Sequence, residues 1–101
     1  MLVKDVIQKT YSIFSEDSRI NSVLLLGKYD SLFSKVGKKI LMVIDSHGQI
    51  MGLDICELED RLEKALEKET QIFEYSEVQR DHKLLADARN GSVKIYERNR
   101  K

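Results

Sequence analysis

The chain has 101 residues, 34% of them charged, with 17 Lys and Arg against 17 Asp and Glu. That length sets the expectation of one domain over residues 1–101, and the balanced charge gives no basic excess of the kind that marks nucleic-acid binding. Cys56 is the only cysteine, which excludes an intrachain disulfide. A reducing, cytoplasmic setting is expected.

No apolar run approaches the roughly 20 residues of a membrane span. The opening Met1-Leu2-Val3-Lys4-Asp5-Val6 lacks the charged-then-apolar pattern of a secretory signal. In chain order, Val3, Val6, Ile7, Tyr11 and Phe14 stand at helical spacing and predict an amphipathic helix over residues 2–15. Val23 to Leu26 is a short apolar run ended by Gly27, suited to a strand buried on both faces. Lys28 to Lys39 follows, with Leu32, Phe33 and Val36 spaced for one or two helical turns. Ile40 to Ile44 predicts a second buried strand, ended by the turn-prone Asp45-Ser46-His47-Gly48.

Asp54 with Glu57 three residues on predicts a capped helix start. Ile55, Leu58, Leu62, Ala65 and Leu66 then form a core-facing stripe, with Glu57–Arg61 and Asp60–Lys64 as supporting ion pairs. Thr70 to Tyr75 is β-branched and aromatic, a third strand. Ser76 with Gln79 predicts a second cap, and Val78, Leu85 and Ala88 continue that helix to Asn90-Gly91. Val93 and Ile95 alternate with Lys94 and Tyr96, as in a half-exposed edge strand. This alternation predicts an α/β (α+β) fold, a small mixed sheet flanked by helices.

Three stretches resemble the minimal nucleotidyltransferases of the DNA polymerase beta superfamily. Leu24-Leu25-Leu26-Gly27-Lys28-Tyr29 is similar to the family's strand ending in Phe-Gly-Ser-Tyr. Lys39-Ile40-Leu41-Met42-Val43 stands where the family has Asp-x-Asp-Leu-x-Val. Leu58-Glu59-x-x-Leu62 and the ending from Asn90 to Arg98 resemble the C-terminal half, which closes on Gly-x-x-x-Tyr-Glu.

In active relatives, a Gly-Ser pair binds the nucleotide phosphates and three strand carboxylates hold the divalent cations of nucleotidyl transfer. The resemblance places Lys28 at the Ser position and Lys38 and Ile40 at the Asp-x-Asp positions. It places the third carboxylate near Gln71. Lys and Ile offer Mg²⁺ none of the hard oxygens it requires. The resemblance therefore implies a catalytically degenerate member with no cofactor and no metal. It acts by protein binding or homodimerisation, with an antitoxin-like role in view.

Two alternatives stand beside it. One is an active Mg²⁺-dependent nucleotidyltransferase with a shifted site of Asp30, Asp45 and Glu74. The other is an unrelated small α/β ligand-binding or regulatory domain. Gly27, Lys28, Lys38 and Lys39, with Lys35 nearby, are candidates for phosphate binding without metal; the bland reading is a solvated basic surface. His47 and His82 stand far apart without further ligands and are expected as surface residues. Cys56 is expected as a buried or half-buried structural thiol.

Overall fold

A computed structural model describes residues 3–26 and 40–98. The elements run α1 (Val3–Glu16), β1 (Ser22–Leu26), β2 (Ile40–Asp45), α2 (Leu53–Leu66), β3 (Thr70–Glu74), α3 (Tyr75–Val78), α4 (His82–Asn90) and β4 (Ser92–Glu97). The four strands lie in the order β3-β2-β1-β4. β1 is antiparallel to both of its neighbours, while β2 and β3 run parallel, so the sheet is mixed as expected.

Side chains alternate across a pleated strand, so the sheet has two distinct faces. One carries Val23, Leu25, Met42, Ile44 and Ile72 against α1 and α2, all within the larger core cluster. The other carries Leu24, Leu26, Leu41, Val43 and Phe73, packed with Val78 of α3 and Ala88 of α4.

Several local expectations shift. The buried row of α1 is Val6, Thr10, Ile13 and Phe14, one position round from the apolar stripe; Ile7 and Tyr11 are exposed. Thr10 fits in that row because its hydroxyl donates to the Val6 carbonyl at 2.6 Å. The start of α2 is not capped by Asp54. Gly52 is the N-cap, at φ 61° and ψ −125°, backbone that glycine alone adopts without strain. Asp54 instead accepts from Arg19, which also holds Asp17. Arg61 pairs with Glu16 on α1 rather than with Glu57, while Lys64–Asp60 forms as expected.

The expected helix from Ser76 is two helices. Its cap is Glu74, which accepts from the Ser76 amide at 2.8 Å, and the chain breaks at Gln79–Asp81 before α4. β4 is an edge strand but does not alternate. Val23 pairs with Tyr96 and Leu24 with Lys94, so Ile95 is an extra residue in a bulge. Ile95 and Tyr96 are consequently both buried.

The chain is clamped at its far end by Arg98. Its guanidinium donates to the carbonyls of Phe14, Ser15, Asp17 and Ile20, at and just beyond the C-terminus of α1, where Phe14 and Asp17 also accept the amides of Asp17 and Ile20. Among the described residues no helix is long and apolar enough to cross a membrane.

Candidate functional site

Strand register decides which residues share a face at the end of the sheet where β2 and β3 begin. Leu41 pairs with Gln71, so both project from the face that α3 and α4 partly cover. Ile40 projects the other way and is fully buried among the side chains under α1 and α2. Ile40 and Gln71 therefore cannot belong to one site. Leu41, rather than Ile40, shares a face with Gln71, and neither residue of that pair is a carboxylate.

The expected candidates fall into two groups. Gly27, Lys28, Asp30, Lys35, Lys38 and Lys39 lie outside the described residues. Asp45 and Glu74 sit at the carboxyl ends of the neighbouring parallel strands β2 and β3, where α/β sheets commonly hold ligands. An open cleft of about 350 Å³ lies there, lined by Asp45, His47, Gly48, Glu74, Tyr75, Ser76 and Gln79.

The two carboxylates differ in what they can do. Glu74 pairs in register with Ile44 and shares its face, whereas Asp45 lies on the face of Val43. Glu74 is 1% exposed. Its Oε2 accepts from the Ser46 amide at 2.9 Å and from the Ser46 hydroxyl, and its Oε1 accepts from the Ser76 amide. Ser46 Oγ accepts in turn from the Ile50 amide at 3.0 Å. Burial alone would raise the Glu74 pKa. The hydroxyl and amide donors of Ser46 and Ser76 outweigh it and hold the carboxyl below its ordinary value of 4.5. Glu74 is thus an ionised buried anchor that ties the β2–α2 loop to the start of α3.

Asp45 is half-exposed, and its Oδ1 accepts from the His47 amide at 3.2 Å. The His47 ring stands 4.0 Å away, on backbone at φ 54°. Among the described residues, no three His, Cys, Asp or Glu side chains gather as metal ligands. His47 and His82 are exposed, as expected; Cys56 is exposed, contrary to expectation, because it turns outward from the stripe carrying Leu58.

Ser46 and Ser76, the residues that organise this end of the sheet, were not singled out as site residues. One signal was available for Ser46: it stands two residues after Ile44 and so continues the inward face of β2.

No protein-family model and no curated protein matches the chain. Solved structures do match. A chain from the tri-AMPylated Shewanella oneidensis HEPN toxin in complex with MNT antitoxin aligns with a TM-score of 0.70. It does so at 11% identity over 96% of this chain and 74% of that one. A toxin–antitoxin structure with AMP-PNP gives 0.69 at 11% identity, over 98% and 76% of the two chains. A mutant of the toxin–antitoxin pair MntA–HpeT with two Asp-to-Glu substitutions gives 0.67 at 11% identity, over 98% and 75%. At this identity the likeness shows the fold, and that fold is nucleotidyltransferase-like.

Proposed function

We propose that this chain is a degenerate nucleotidyltransferase-fold protein that works by binding another protein, in an antitoxin-like role, without metal-dependent nucleotidyl transfer. One observation carries the reading. Where the fold's carboxylates would stand, the β2–β3 register brings Leu41 opposite Gln71, with Ile40 buried behind them. An alkyl chain offers no ligand to Mg²⁺, and one amide oxygen falls far short of the near-octahedral oxygen set the ion demands. Without the ion, the means by which this fold offsets the charge that develops as a nucleotidyl group is transferred is lost.

A rebuilt metal site at the other end of β2 and β3 has little to work with. Glu74 has its oxygens engaged by Ser46 and Ser76, and Asp45, which lines the same cleft from a neighbouring strand, accepts from the His47 amide. Support for a protein partner comes from the neighbours, each of which is a toxin–antitoxin structure. The same reading assigns one domain and a cytoplasmic setting to the chain.

Purification of the tagged protein from its own host, followed by light scattering, tests the partner directly. The expected result is a second polypeptide species at fixed stoichiometry that survives gel filtration. Recovery of this chain with no second species contradicts the reading.

A further inference from the structure

The sheet has two edges, and they are treated differently. At the β3 edge, the amides of Thr70 and Ile72, which alternate along the strand, donate to Glu63 at 3.0 Å and Glu59 at 2.9 Å on α2. Those glutamates occupy donors that another strand would need, a side-chain shield against edge pairing. At the β4 edge, among the described residues, no side chain accepts from a strand amide. That leaves β4 as the edge able to take an added strand.

Two further features belong to the same edge. Tyr11 on α1 packs edge-on against Tyr96 of β4 with ring centroids 5.9 Å apart, yet remains 56% exposed. Ile7, one turn earlier on α1, is exposed as well and shares the helix face of Tyr11. On β4 itself, Lys94 and Glu97 have well-exposed side chains that pair with each other.

We infer that a second copy of this chain adds to β4, antiparallel, across a two-fold axis between Ile95 and Tyr96. In that register Lys94 faces the partner's Glu97, and Glu97 faces the partner's Lys94. Lys94 and Glu97 stand equally far from that axis, which lies one residue beyond the midpoint of β4, so the two charges meet their opposites on a copy only in the antiparallel sense. This self-complementarity selects a copy of the chain over an unrelated strand. The bulge does not disturb the pairing. The extra residue of each copy lies beside the axis, so both strands carry the same count across it. Exposed Tyr11 and Ile7 extend the contact beyond the strands and supply apolar area that backbone pairing lacks. The inference stands apart from the proposed partner, since it needs only this chain.

A sedimentation-velocity dilution series on the purified protein tests it. Twice the 11.7 kDa chain mass is expected at the upper end of the series. Lys94→Glu sets like charges opposite one another at two symmetry-related places and is expected to raise the dimer Kd about tenfold. Glu97→Lys does the same. The double swap Lys94→Glu with Glu97→Lys restores opposite charges across the axis and is expected to recover the dimer, which separates a lost contact from a lost fold. A wild-type chain of single mass throughout overturns the inference. So does a dimer indifferent to either single substitution, or a double variant as weak as the singles.

Discussion

Glu74→Ala is expected to lower stability by about 3–4 kcal/mol, because it strips the partner from the buried Ser46 amide, the Ser46 hydroxyl and the Ser76 amide together. For a chain of this size that is a fall in Tm of about 15–25 °C, readable by thermal unfolding. Glu74→Gln keeps one acceptor oxygen but turns an NH₂ group toward a donor, so it falls between the wild type and Glu74→Ala. The two variants also differ from the wild type in their response to acid. The folded-state pKa of Glu74 lies below its ordinary value of 4.5. Its contribution is therefore complete above that ordinary value and drains away as the pH falls through the folded pKa. Urea unfolding between pH 7 and pH 3 should show a shallower acid decline for Glu74→Gln. An unchanged decline would show that the carboxylate is not held ionised by the two serines.

Arg98→Ala is expected to cost about 2–4 kcal/mol. One guanidinium serves four carbonyls drawn from the end of α1 and the loop that follows it, and Arg98 also lies 5.8 Å from the centre of the Tyr96 ring. Alanine removes all four bonds, leaving the carbonyls of Phe14 and Asp17 with only their backbone partners, and unties the end of β4 from α1. Arg98→Lys keeps the charge without the planar fork and is expected to recover less than half of the loss. Denaturant titration of the three proteins checks this. Full recovery by lysine would mean that charge at the helix C-terminus, rather than the forked geometry, does the stabilising.

Much of the fold was legible in the residues because burial periodicity survives in the sequence. Ile40 to Ile44 and Val23 to Leu26 could be little else than central strands, and the Leu58, Leu62 and Leu66 spacing fixes the buried face of α2. What was not legible depends on partners distant in sequence. Asp54 has the composition of a cap but is drawn to Arg19, 35 residues away, while Gly52 takes the N-cap on backbone favoured by glycine. Tyr96 looks outward by alternation and is buried because Ile95 bulges against β1, which only the pairing reveals.

The candidate site was legible to the same extent. The absence of a carboxylate at Lys39, Ile40, Leu41 and Gln71 can be read from the residues alone, but that Leu41 rather than Ile40 shares a face with Gln71 takes the strand pairing. Asp45 and Glu74 look like a carboxylate pair in one dimension. The pleat and Ser46 together make one of them a solvent-facing turn residue and the other a structural anchor.

The central claim is that the nucleotidyltransferase fold persists here without its metal-dependent chemistry. Its most direct test is thermal unfolding with each nucleoside triphosphate at millimolar concentration, with and without Mg²⁺. A ligand present at about 100 times its Kd stabilises by about 2.7 kcal/mol, a shift of 10 °C or more for a chain this small. The expected result is no Mg²⁺-dependent shift with any nucleotide. A saturable shift that requires both Mg²⁺ and a nucleoside triphosphate, and is lost in Asp45→Asn, would contradict it and return Asp45 to a catalytic role.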